Sequence, residues 1–152
     1  MRIIPADLHD AQVMALLGEH LQGMRASSPP GAVFALDLSG LRAAGVCVYC
    51  AWQGEELLAI GAMKRLSATH AELKSMRTAQ AHLRKGAAAT LLAHLIAVAR
   101  ADGCQRLSLE TGSGQAFEPA LALYRRHGFV RGVAFGDYVA SQFNQFMHLN
   151  LH

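Results

Sequence analysis

No stretch of this chain approaches the roughly 18 consecutive apolar residues that a membrane helix needs. Its opening, Met1-Arg2-Ile3-Ile4-Pro5, has no signal-peptide hydrophobic region. Both absences predict a cytoplasmic protein with no membrane partner. Charge is scarce, at 16% of residues, and the net charge is only +3. The cations are scattered and form no basic run, which argues against a nucleic-acid partner and leaves room for a local anion site. Cysteines number three, an odd count that excludes a complete disulfide framework. Cys47 and Cys50 share the strand-like run Val46-Cys47-Val48-Tyr49-Cys50. Three positions apart on a strand they point to opposite faces, badly placed for a shared metal or a dithiol. None of the eight histidines has metal-ligand spacing, so no metal is expected. Neither a Walker A sequence nor G-x-S-x-G occurs, and Gly112-Ser113-Gly114-Gln115-Ala116-Phe117 lacks the third glycine of a dinucleotide fingerprint.

What the chain has in quantity is hydrophobic residues, 52% of 152. That is enough to bury roughly 68–70% of the unfolded surface in one domain, and no linker or repeat divides residues 1–152. Met1 to Pro5 reads as a short strand. Leu8, Val13, Leu16, Leu17, Leu21 and Met24 recur at a helical period between Asp7 and Arg25, and Ser27-Ser28-Pro29-Pro30-Gly31 ends that helix. Asp37 to Arg42 suggests a short second helix. Val46–Trp52 and Leu57–Leu66 form a hairpin around Gln53-Gly54-Glu55-Glu56, and a third extended run covers Ala71–Thr78. An amphipathic helix from about Lys85 to Ala101 closes at Asp102-Gly103. Arg106–Thr111 alternates like a strand. A last helix, about Glu118 to His127, ends on Gly128, and two strands joined near Tyr138–Gln142 complete the chain. The expected class is α/β, layered in the α+β manner.

The chain is organised around Leu83-Arg84-Lys85-Gly86-Ala87-Ala88-Ala89-Thr90-Leu91-Leu92. A basic pair and a glycine precede small residues and then a helix. Free backbone N–H groups at such a terminus, reinforced by the helix dipole, suit an anion and above all a phosphate. The strand Glu72-Leu73-Lys74-Ser75-Met76-Arg77-Thr78 feeds this loop, and Leu123-Tyr124-Arg125-Arg126-His127-Gly128-Phe129 follows it downstream.

Residues 71 to 129 resemble the GNAT superfamily of acetyl-CoA-dependent N-acetyltransferases. Ala71 to Leu92 is similar to its strand, pyrophosphate loop and helix, and Leu123 to Phe129 to its second signature. Ser75-Met76-Arg77-Thr78 and Leu109-Glu110-Thr111-Gly112-Ser113 are also similar to a small bacterial, YsnE-like branch. The resemblance implies a mixed, mainly antiparallel central sheet of about six to seven strands flanked by helices. It further implies transfer of acetyl from acetyl-CoA, as cosubstrate, to a primary amine of a small molecule or peptide. The transfer would run by direct attack in a ternary complex.

The resemblance places the coenzyme on Met76, Arg77, Thr78, Leu83, Arg84, Lys85, Gly86, Ala87, Ala88 and Ala89. It makes Tyr124 the general acid and a backbone N–H near Met76 the oxyanion donor. Glu72 is the expected base, with Glu110 as its rival. In the register set by Gly86 and Ala88, Leu83 stands where the family has Gln or Arg, and Phe117 stands where it has an asparagine. These two departures give weight to an alternative, a non-catalytic acyl-CoA-binding or sensing module. The acceptor region is expected between Leu21 and Phe34 and between Val133 and Phe143. It offers Met24, Phe34, Phe135 and Tyr138, which suggests a partly apolar acceptor. Apolar strand surface is sufficient for a homodimer.

Overall fold

The computed structural model describes residues 1–32 and 38–152. Phe34, and the start of the second helix at Asp37, lie outside the described residues. Strand β1 (Arg2–Pro5) leads to helix α1 (Ala11–Ser27), whose first turn is capped by the Asp10 carboxylate accepting from the amides of Gln12 and Val13. A four-residue α2 (Leu38–Leu41) precedes strands β2 (Val46–Gln53), β3 (Glu56–Arg65) and β4 (His70–Thr78). Helix α3 (Ala87–Ala101), strand β5 (Arg106–Thr111), helix α4 (Glu118–Arg126) and strands β6 (Val130–Gly132) and β7 (Gln145–Asn150) follow. The seven strands form one sheet in the order β1-β2-β3-β4-β5-β7-β6. Among the described residues, only the central β4–β5 pair is parallel. The mixed, mainly antiparallel sheet expected from the sequence is therefore present.

Each face of the sheet has its own core. On one, Leu73, Leu107 and Leu109 pack with Leu91, Leu92 and Leu95 of α3 and with Leu121 and Tyr124 of α4. On the other, Ile60, Ala62 and Cys50 pack with Val13, Leu16 and Leu17 of α1. Cys47 lies against the first cluster and Cys50 within the second, the opposite-face placement read from their spacing. Cys104 is buried, and all three thiols are free.

Of the boundaries that differ from the sequence reading, two bear on the site, while helix α1 starts at Ala11 and not at Asp7. Helix α3 starts at Ala87, because Gly86 takes a left-handed φ of 81° as its N-cap and Lys85 stays in the loop. The strands after Gly128 are shorter than expected, since residues 133–144 form a long connection that folds over the sheet. Gly128 itself has the expected left-handed conformation, φ 96°.

Candidate active site

Strands β4 and β5 pair only at His70–Arg106, Ala71–Leu107 and Glu72–Ser108. Beyond Glu72 the two strands part. An opening beside the carboxyl ends of parallel strands is where open α/β sheets bind ligands, because the facing strand edges keep unpaired backbone groups there. A cleft of about 660 Å³ occupies the opening.

Strand β4 carries an irregularity at this point. Ile60 pairs with Arg77 and Ala62 with Lys74, so two steps along β3 match three along β4. The extra residue falls at Ser75–Met76, where Ser75 has a φ of 57°. Gly61 lies opposite. A Cβ on it would come 2.5 Å from the Met76 sulfur and 3.0 Å from Leu95, so the absence of a side chain lets Met76 pack inward. The bulge also reverses the alternation of side chains. Glu72 and Lys74 lie on the α1 face, Met76 is turned toward α3, and Arg77 returns to the α1 face, opposite Ile60.

At the other end, Gln80–His82 form a 3₁₀ turn, and Arg84 adopts a φ of 64° before Gly86. No side chain caps α3, and the first helical bond runs from the Thr90 amide to the Gly86 carbonyl. The amides of Ala87, Ala88 and Ala89 thus have no acceptor within the helix. Such a helix start suits an anion. Gly86 and the three alanines line the cleft, with Met76, Arg77, Thr78, Leu83 and Arg84. Lys85 is not among the lining residues; its ammonium bonds the His82 ring, 2.9 Å away. Leu83 is exposed and extended.

Tyr124 forms part of the cleft wall, packed on Phe129 with ring centroids 5.7 Å apart. Burial pushes its phenol up to about 12, so it keeps its proton at neutral pH. Phe117, in place of the family asparagine, is buried and meets Phe143 edge to face. It completes an apolar wall.

On the α1 face, Glu72 and Glu110 also line the cleft. Glu72 is 4% exposed and sits 3.3 Å from the Lys74 ammonium. Tyr138, from the 133–144 connection, donates its hydroxyl to the same carboxylate oxygen and accepts from Lys74 at 2.8 Å. Burial and the Glu72 carboxylate hold the Tyr138 phenol well above its ordinary range. Burial lifts Glu110 to about 7, with Glu72 adding to the rise and Lys74 opposing it. Sequence reasoning named Tyr138 only as an apolar pocket residue and gave Lys74 no role. The alternation of Glu72 and Lys74 on one strand was the available signal; the reach of Tyr138 across 64 residues had none. Phe135 lies behind the site, stacked among His70, Tyr138, Phe146 and His148.

Comparison with known proteins decides the family. The model of the Acetyltransferase (GNAT) family matches residues 13–129. The chain belongs to the GNAT acetyltransferase family. It is 47% identical over 138 residues to YsnE of Bacillus subtilis, named an uncharacterized N-acetyltransferase, a match covering 91% of each chain. It is 43% identical over 145 residues to YedL of Escherichia coli, named likewise, covering 95% of this chain and 91% of YedL. A Bacillus subtilis acetyltransferase solved in complex with CoA superposes with a TM-score of 0.73 at 17% identity, covering 98% of this chain and 97% of that one. The YsnE-like character read from the sequence is therefore present. Among the described residues, no helix is long and apolar enough to cross a membrane and no group of three or more His, Cys, Asp or Glu is placed to hold a metal.

Proposed function

We propose that this GNAT protein transfers acetyl from acetyl-CoA to a primary amine, by direct attack within a ternary complex. The observation that carries the reading is the continuous cleft joining the uncapped start of α3 to the parted strands β4 and β5. The amides of residues 87–89 suit a pyrophosphate, and the free edge of β4 at Met76 and Thr78 suits the amide-bearing pantetheine arm. Leu83 removes a side-chain ligand and leaves the backbone amides in place. Arg84 adds charge at the rim. Acetyltransferases of this fold solved with acetyl-CoA or coenzyme A support that occupant.

In this reading the amine lone pair attacks the thioester carbonyl carbon, and a backbone N–H at the Met76 bulge stabilises the oxyanion. Such a donor contributes about 2.7–4 kcal/mol where it has been removed in other enzymes. As the C–S bond breaks, the Tyr124 hydroxyl donates to the departing thiolate. The ammonium proton goes to Glu72, directly or through water, beside Glu110, which burial lifts to about 7. A covalent cysteine intermediate has no support, because Cys104 is buried and packs in the core beneath α3.

Tyr124→Phe tests the assignment. It is expected to lower kcat about 10²–10⁴-fold with little change in the KM for acetyl-CoA. Unchanged turnover removes Tyr124 from the reaction. Acetyl-CoA binding by the wild-type protein with no turnover on any amine would favour an acyl-CoA sensor instead. The fold offers an open edge at β6 for a second copy, and sedimentation would measure a homodimer.

A further inference from the structure

Arg77 is half-buried in the cleft. The bulge at Ser75–Met76 places it opposite Ile60, on the α1 face, away from α3 and its free amides. Its Nε donates to the Nδ1 of His20 at 3.1 Å, and its Nη2 donates to the His20 carbonyl at 3.3 Å. Gly23 of α1 makes the space, since a Cβ there would stand 2.5 Å from Nη2. Burial and the guanidinium keep the His20 ring neutral, lowered to about 4, so it serves as an acceptor. The Arg77 fork is thus built into a fixed orientation by one strand irregularity, one glycine and one buried imidazole.

It has no carboxylate partner among the described residues: the ion pairs there join Arg65 to Asp102, Lys74 to Glu72 and His82 to Glu56. Glu19 favours its charge from a distance without bonding it. Nη1 and the second Nη2 hydrogen have no protein acceptor in any of these bonds. Leaving a half-buried guanidinium without a counter-ion is costly unless a ligand supplies one. An arginine fork matches a carboxylate with two parallel hydrogen bonds.

We propose that Arg77 binds a carboxylate on the acceptor, so that the substrates are amines that also carry a carboxylate, of the amino-acid class. Glu72 and Glu110, on the same face of the same cleft, receive the ammonium end. Lys74 is already committed to Glu72 and Tyr138, which leaves Arg77 as the β4 cation for the acid end. The inference rests on the acetyl-transfer reading above and adds the acceptor to it.

The test compares α-, β- and longer ω-amino acids, each beside the matched amine lacking the carboxylate. Thiol release from acetyl-CoA is followed in wild type, Arg77→Gln and Arg77→Lys. Wild type is expected to prefer the carboxylated member of at least one pair roughly tenfold to hundredfold in kcat/KM. Arg77→Gln, whose amide can still donate to His20, is expected to abolish the preference while leaving the KM for acetyl-CoA and the melting temperature near wild type. Arg77→Lys should retain part of it. Equal use of both members by wild type overturns the proposal. So does an Arg77→Gln defect that falls equally on both members or on acetyl-CoA, which would place Arg77 with the coenzyme. If no amine is acetylated, calorimetry of the same pairs with the CoA-saturated protein decides separately. Arg77-dependent binding of the carboxylated member alone keeps the carboxylate site and rejects only the transfer. Binding of neither member, or of both alike, rejects the site.

Discussion

Tyr138 donates its hydroxyl to the carboxylate of Glu72, joining the 133–144 connection to the floor of the cleft beside the parted strands. Lys74 closes the triangle, 3.3 Å from Glu72 and 2.8 Å from the Tyr138 oxygen. The side chain expected to act as base is therefore oriented by a phenol from a distant segment and an ammonium two residues away. Glu110, on the neighbouring strand and lifted to about 7, titrates in its presence.

The pH dependence follows. Burial lifts Glu110 beside the expected base to about 7, so kcat/KM is expected to rise with pH through about 7 as Glu110 loses its proton. Glu110→Gln removes the group lifted to about 7 and should remove this limb while keeping measurable turnover. Glu72→Gln should depress kcat far more, about 10²-fold or greater. Equal losses for the two variants, or a limb unmoved by Glu110→Gln, would contradict the assignment.

Gly86→Glu should abolish acetyl-CoA binding measured by calorimetry. Glutamate would strain the left-handed backbone of the N-cap and bring negative charge to the amides of residues 87–89. Leu83→Ala should bind within about threefold of wild type, an effect below 1 kcal/mol, since Leu83 is exposed and contributes no hydrogen-bonding side chain. The opposite ranking would show that the loop is read in the wrong register.

His20 sets an acid limit on stability. Its folded pKa, about 4, lies below the unfolded 6.5, so the unfolded chain binds more protons between these values. Stability from this group is fully present above 6.5 and is lost as pH falls toward 4, up to about 3 kcal/mol. His70 and His148 are shifted downward as well, mainly by burial, and act in the same sense. Urea unfolding midpoints between pH 8 and pH 4 measure the total. His20→Gln keeps an acceptor for Arg77 and should flatten part of the slope; an unchanged slope would contradict the neutral, buried ring.

Much of this architecture is legible in the sequence because it is local. The period of Leu91, Leu92, Leu95 and Ile96 marks α3, the alternation of Leu107 and Leu109 marks β5, and Gly86 followed by three alanines marks a helix start with no side-chain cap. The unread parts depend on contacts distant in sequence. The Ser75 bulge exists against Gly61 and Leu95, and without it Arg77 would point toward α3, so a strict period-two reading of β4 misplaces that side chain. The union of Tyr138 with Glu72 requires the 133–144 connection to fold over the sheet, which no spacing predicts. Phe117 was legible as a departure, and its burial in the core against Phe143 and over Gly112 shows how an apolar residue is accommodated there.

The most direct test of the central claim follows thiol release and acetylated product together, with acetyl-CoA and a panel of primary amines. The account predicts equimolar free CoA and N-acetylated product from at least one amine, with the rate reduced about 10²-fold or more in Tyr124→Phe. Acetyl-CoA that binds tightly yet yields neither thiol nor acetylated amine across the panel would contradict it.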